Sequence, residues 1–226
     1  MIKDYKEKFI QFLISHGSLK FGRFTLKSGR ISPYFLNTGM LHSGEALTRL
    51  GQFYARAIVD HFPYGEFDVI FGPAYKGIPL SIATVSALHR DFQIDVSYSF
   101  NRKEPKGHGD KGLLVGKKAV SGDRILIVDD VITAGTAIRE SLRVLNSFPG
   151  VQIPGVVVSV DRMEKGINHR SAIQEITREF GMPVHSVVNI REIMEYLGTG
   201  TGKEKKPFDP DILRRMEEYR EKYGAG

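Results

Sequence analysis

Residues Arg124 to Ala137 read RILIVDDVITAGTA. The ILIV run at 125–128 is apolar without alternation, as expected of a strand covered on both faces. The run closes on Asp129-Asp130, and a short loop then leads into a helix beginning at Thr136. Strand, turn and helix in this order predict a parallel α/β sheet whose ligands sit at the carboxyl ends of the strands. The turn Thr133-Ala134-Gly135-Thr136 supplies backbone N–H groups, hydroxyls and a helix N-terminus, all suited to a phosphate. The paired carboxylates suit sugar hydroxyls or a metal-bound sugar, so phosphate is expected on one side and ribose on the other.

Other phosphate-binding patterns fail on these residues. A P-loop needs G-x-x-x-x-G-K-[ST], and no Lys follows Gly135; a dinucleotide fingerprint needs G-x-G-x-x-G, and only one glycine is present. A receiver domain carries its acidic pair on the first strand of a small domain, whereas this strand begins near residue 124. A purely structural reading, with acids that merely cap the next helix, gives two adjacent carboxylates little reason to be there.

Outward from this segment, apolar runs and turn residues alternate as βα units from about residue 66 onward. Strands are predicted at Asp68 to Gly72, Asp95 to Asn101, Arg124 to Asp129, Gly155 to Asp161 and Val184 to Asn189. Helices are predicted at Ile78 to Arg90, Thr136 to Phe148 and Ser171 to Phe180. Ahead of this core lie a helix over Tyr5 to Ser15 and a strand pair around the Ser28-Gly29 turn. After it, Gly198 to Lys206 reads as a mobile connector to a last helix over about Pro210 to Tyr223, whose apolar face is expected to pack. The expectation is a single domain over residues 1–226, with 1–40 contributing a small hood and 210–223 a C-terminal helix.

Composition bounds the function. The 226 residues are 41% hydrophobic and 26% charged, enough for one α/β domain with a real core. No stretch reaches the roughly 18 consecutive apolar residues of a membrane span, and Lys3, Asp4, Lys6, Glu7 and Lys8 stand ahead of the apolar residues from Phe9 onward, so a cytoplasmic location is the default. The absence of cysteine excludes disulfides, thiolate metal sites and cysteine nucleophiles. The net charge of +6 points to an anionic partner, but the longest basic cluster is KEKK at 203–206. Nucleic acid would favour a dense basic stripe, so a small polyanion fits better and no nucleic-acid or membrane partner is expected. The seven histidines form no H-x-x-x-H pattern, which argues against a protein-bound zinc.

Three further segments carry chemistry. Pro73-Ala-Tyr75-Lys76-Gly77 turns from the strand ending at Gly72 into a helix, so its N–H groups and Lys76 can hold a pyrophosphate. Residues 101–116 place Arg102, Lys103, Lys106, His108 and Lys111 among glycines and a proline, too polar for a core. Thr25-Leu-Lys27-Ser-Gly-Arg30 with Ser32-Pro-Tyr-Phe35 forms the third. VDDVITAGTA resembles the phosphoribosyl-pyrophosphate (PRPP) binding motif of type I phosphoribosyltransferases. The other three segments resemble those of orotate phosphoribosyltransferases, in order and nearest to the bacterial and fungal form.

The resemblance implies the type I phosphoribosyltransferase fold: α/β, with a central, mostly parallel sheet flanked by helices and a small N-terminal hood. It implies transfer of the 5-phosphoribosyl group from PRPP to N1 of orotate, giving orotidine 5′-monophosphate and pyrophosphate in pyrimidine biosynthesis. By the same resemblance PRPP is held by Lys27, Tyr75, Lys76, Arg102, Lys103, Lys106, His108, Asp129, Asp130 and the run Val131, Ile132, Thr133, Ala134, Gly135, Thr136 and Ala137. Lys106, Asp129, Asp130, Lys76 and His108 are implied as catalytic, and Phe35, Leu36, Thr133 and Arg162 as contacts of orotate. Leu36 stands where the family has an aromatic residue, whereas the planar fork of Arg162 suits a carboxylate. The 101–116 segment is implied to be a lid that reaches the neighbouring subunit's site, hence a homodimer. Mg²⁺ is expected to arrive with PRPP, near Asp129 and Asp130, because it binds diphosphates through few carboxylates. Two alternatives stay open: a type I phosphoribosyltransferase for another base, and a PRPP-binding nucleic-acid regulator.

Overall fold

The structure is a computed structural model that describes residues 2–26, 28–102, 112–132, 135–166, 169–199 and 209–225. Its centre is a six-stranded sheet in the order β5-β4-β3-β6-β7-β8. These strands are β3 (Val69–Phe71), β4 (Ser97–Asn101), β5 (Leu114–Gly116), β6 (Ile125–Ile132), β7 (Val156–Asp161) and β8 (Val184–Asn189). All neighbours pair in parallel except β5, which runs antiparallel to β4 at one edge.

The alternation of side chains along these strands divides the core in two. Ile70, Leu126, Val128 and Val157 join one buried cluster with α1 (Asp4–Ser15), α2 (Gly44–His61), α3 (Gly77–Phe92) and α6 (Ile190–Thr199). Val69, Phe71, Ile125, Ile127, Val156 and Val158 join the other, with α4 (Thr136–Leu145) and α5 (Ala172–Phe180). A sheet buried on both faces is what the unbroken apolar runs require. The hairpin of β1 (Leu19–Thr25) and β2 (Ile31–Leu36) forms a separate two-stranded antiparallel sheet, and α7 (Pro210–Tyr223) packs on β2.

The five core strands, the three core helices and the terminal helices lie where the sequence predicts them, with shifts at their ends. The strand that was to end at Asp129 continues to Ile132, because β7 extends alongside it and pairs Val131 with Val160 and Ile132 with Asp161. The 101–116 segment is shorter as a loop than expected: Leu114–Gly116 is the edge strand β5, with Asn101 opposite Leu114. Residues 103–111 of that segment, and 200–208 of the connector, lie outside the described residues.

Among the described residues, two α-helices have no counterpart among the predicted elements. Helix α2 is capped by Ser43, whose hydroxyl accepts the Ala46 N–H. It crosses α3 closely because Gly51 has no side chain: a Cβ there would lie 2.4 Å from the Ala83 carbonyl oxygen. Helix α6 follows β8 directly through a reciprocal cap, in which Asn189 accepts the Glu192 N–H and Glu192 accepts the Asn189 N–H.

Candidate active site at the strand ends

The site lies where β3 stops and β6 continues. Because β3 ends at Phe71, opposite Ile127, the last five residues of β6 have no strand on that side. The carbonyl of Asp129 accepts from the phenol of Tyr54 on α2, at 2.6 Å, and that of Asp130 from the hydroxyl of Ser159 on β7, at 2.7 Å. Both donors are buried, so the acidic pair sits on a backbone fixed by side chains from two other elements.

The two carboxylates meet different surroundings. Asp130 Oδ2 accepts from Lys76 Nζ at 2.7 Å and from Thr38 Oγ1 at 3.0 Å. Asp129 Oδ1 accepts the Asp130 N–H at 2.8 Å. Burial and the neighbouring Asp130 charge push the Asp129 carboxyl up to about 6, against the opposing pull of the Asp130 N–H and Lys76.

Glycines shape the two loops beside this pair. A Cβ on Gly72 would fall 1.9 Å from the Gly77 carbonyl oxygen, and one on Gly77 would fall 2.5 Å from the Gly72 carbonyl carbon. The β3–α3 turn is therefore drawn tight, with the Gly77 N–H donating to the Pro73 carbonyl and the Ala74 N–H to Asn101 Oδ1. The Ala74–Tyr75 peptide within it is cis, and Tyr75 is 69% exposed. On the second loop, Gly135 caps α4 with φ at +70° and no side-chain hydrogen bond to the helix, so the first N–H groups of α4 are left for a ligand.

These parts enclose two adjoining clefts. One, of about 330 Å³, is lined by Pro73 to Lys76, Asp129 to Ile132 and Gly135 to Ile138. The other, of about 620 Å³, runs under the β1–β2 hairpin and includes Phe35, Leu36, Thr38, Asp161, Arg162 and Glu164. Lys76, Asp130, Val131 and Ile132 line both.

The second cleft ends on a tied arginine. Arg162 is 8% exposed; its Nε and Nη2 donate to Glu164 Oε1 at 2.8 and 2.6 Å. Its guanidinium lies 4.6 Å over the ring of Tyr34, whose hydroxyl donates to the same Glu164 oxygen at 3.0 Å. Phe35 stacks on Phe24 at 5.4 Å, and Leu36 packs against the core.

The structure thus gathers Tyr75, Lys76, Asp129, Asp130, Val131, Ile132, Gly135, Thr136 and Ala137 at the first cleft, and Phe35, Leu36 and Arg162 at the second. Arg102 lines neither cleft. Lys27, Lys103, Lys106, His108, Thr133 and Ala134 lie outside the described residues. The sequence reading missed Tyr54, Ser159, Thr38, Asn101 and Glu164. Only Glu164 had a local cue, its place two residues beyond Arg162.

Among the described residues no three His, Asp or Glu side chains cluster as metal ligands, and no helix is long and apolar enough to cross a membrane. Two adjacent carboxylates, one already tied to a lysine, are a donor set for a cation that brings its other ligands on a diphosphate.

Known proteins match both the fold and the full length. The phosphoribosyl transferase domain family matches residues 37–186. The orotate phosphoribosyltransferase of Pseudomonas aeruginosa is 50% identical over 223 residues, 99% of this chain and 100% of that protein. That of Clostridium beijerinckii is 47% identical over 224 residues, again 99% and 100%. The crystal structure of the Francisella tularensis orotate phosphoribosyltransferase superposes with a TM-score of 0.82 at 40% identity, covering 96% of this chain and 99% of that one. A likeness of this extent, in sequence and in fold, makes the chain a member of the phosphoribosyl transferase domain family, among the orotate phosphoribosyltransferases.

Proposed function

We propose that the chain transfers the 5-phosphoribosyl group of PRPP to N1 of orotate, giving orotidine 5′-monophosphate and pyrophosphate, a step of pyrimidine biosynthesis. The observation that carries this reading is the pair of clefts joined at Asp130: glycine-shaped loops and a helix N-terminus on one side, a guanidinium on the other. In the reaction N1 of the base bonds to ribose C1 as the C1–O bond to pyrophosphate breaks. Positive charge develops on the sugar and negative charge on the departing group.

Asp129 and Asp130 hold the ribose hydroxyls and favour the cationic sugar. The N–H groups of the β3–α3 turn, Tyr75 and Lys76 receive the pyrophosphate. Thr133 to Ala137 anchor the 5′-phosphate, away from C1, and so contribute orientation rather than bond chemistry. Asp129 and Asp130 would stand beside a Mg²⁺ brought mainly by PRPP, which would supply positive charge to the leaving group. Phe35 and Leu36 flank the base, and Arg162 faces its carboxylate. Lys27 and the basic residues Arg102, Lys103, Lys106 and His108 complete the PRPP site, the latter four from the 101–116 lid of a second subunit in a homodimer. The lid keeps water from competing with orotate. A cytoplasmic location suits an enzyme of soluble metabolites.

The fall in orotate absorbance on mixing with PRPP and Mg²⁺ tests the reaction. Loss of signal that requires both additions, with none from a purine base, is expected; saturable PRPP binding without turnover would instead indicate a different acceptor. Lys106→Ala should lower kcat by about 10²- to 10³-fold, as the loss of one transition-state donor does. Mixing that variant with Asp129→Asn/Asp130→Asn protein should restore activity in hybrid dimers. No recovery despite demonstrated subunit exchange would exclude sites shared between subunits.

A further inference from the structure

The base end of the site contains a group that the reaction above does not use. Glu164 Oε1 receives three donors: Arg162 Nε, Arg162 Nη2 and the Tyr34 hydroxyl. Nε and Nη2 converge on that one oxygen, and Nη2 also lies 3.5 Å from the Ser32 hydroxyl oxygen, so Arg162 is held through these two nitrogens. Its Nη1 has no hydrogen-bond partner among the described residues, and Arg162 lines the second cleft. The Tyr34 ring beneath the guanidinium closes a face to water, and Tyr219 of α7 packs edge-on against Tyr34, with ring centres 6.0 Å apart.

Glu164 is itself secured from outside the cleft. Its Oε2 lies 3.5 Å from Arg30 Nη1. The residues on either side are tied to the end of α7, the Lys165 N–H donating to the Tyr223 carbonyl and the Ala225 N–H to the Met163 carbonyl. A guanidinium as buried as Arg162 needs a counter-charge whenever the cleft is empty, and Glu164 supplies it. Arg30 and Arg162 against one carboxylate leave this cluster one positive charge in excess, which matches a base carrying a single carboxylate and not one carrying none.

We propose that Glu164 is the positioning residue of the base end: it holds Arg162 by one edge, leaves Nη1 for the carboxylate of the incoming base, and so sets the preference for a carboxylated pyrimidine over an uncarboxylated one. This rests on the reading of Arg162 as the partner of that carboxylate. Tyr34 bears on Arg162 both through Glu164 and through its ring, and the C-terminal helix through the residues that flank Glu164.

Steady-state kinetics on the full-length protein test this, with KM measured for orotate and PRPP and uracil measured as a competitive inhibitor. Glu164→Ala should raise the orotate KM by about tenfold or more, the scale of a lost charged hydrogen bond, while the PRPP KM and the uracil inhibition constant stay put. Glu164→Gln keeps an oxygen for Nε and Nη2 and should recover part of the loss. Arg162→Ala serves as the reference. If it raises the orotate KM and Glu164→Ala does not, the positioning role is overturned. If Arg162→Ala itself has no effect, the proposal falls together with the assignment of Arg162. Should Glu164→Ala fail to fold, Tyr34→Phe decides, with an expected rise of about two- to threefold in the orotate KM alone. No rise, or equal shifts in all three constants, would overturn the proposal.

Discussion

The two ends of the site are built from different materials. At the phosphate end, short local segments present backbone: Gly72 to Gly77 folds back on itself, and Gly135 opens the first turn of α4. At the base end the working surface is a chain of side chains, in which Tyr34 and Glu164 stand 130 residues apart in sequence. A backbone cradle is sensitive to added atoms and indifferent to most side-chain losses. A side-chain network behaves the opposite way, since each removed partner strands a buried polar group.

The sharpest way to break the phosphate end is therefore to add a methyl group. Gly72→Ala should cost about 3 kcal/mol of stability by overpacking and abolish measurable activity, read by urea unfolding and by the orotate assay. Tyr75→Ala, at an exposed position of the same loop, should leave the unfolding midpoint in place.

A second test concerns the acidic pair between the two ends. With Asp129 at about 6 in the folded protein, and near 3.9 unfolded, the native state binds more protons between those values. Stability should fall as pH rises from about 4 to about 6, by about 2 to 3 kcal/mol in all, and then level off. Asp129→Asn should remove that fall and be the more stable protein above pH 6. An identical pH dependence in the two proteins would show that Asp129 is not held near 6.

The smallest expected effect sharpens the boundary between the ends. Tyr54→Phe keeps the ring and removes the donor to the Asp129 carbonyl, at a cost of about 1 to 2 kcal/mol. It should raise the PRPP KM and spare the orotate KM, the reverse of the pattern expected for Glu164→Ala. A rise in both would mean that the two ends are mechanically one.

The same division governs what can be read from the chain before it folds. The phosphate loops are contiguous, so their glycines, threonines and adjacent acids stand together in the sequence and disclose both the strand-end site and its ligand class. Helix α2 escapes because its buried face is partly Ala46, Gly51, Ala55 and Ala57, small residues that do not form an apolar run. Its close crossing of α3 depends on that smallness. Tyr54 and Ser159 are ordinary core residues by pattern, and only the packing of α2 and β7 beside β6 makes them partners of the Asp129 and Asp130 carbonyls. The family resemblance supplied Arg162, but the tie of Glu164 to Tyr34 depends on the hairpin meeting the segment after β7. The edge strand β5 is three residues long and lay within a segment whose polarity pointed to a loop.

Gly72 and Gly77 also bear on how the protein can change over generations. Each lacks room for a side chain because of the backbone of the other, so neither position can be relaxed first while its partner adapts. A search through single substitutions meets a wall at both. Variation in the pyrophosphate-facing turn is channelled instead into Tyr75 and Lys76, whose side chains are largely in solvent. Directed evolution toward a different leaving group would gain most by randomising those two positions and leaving the glycine pair untouched.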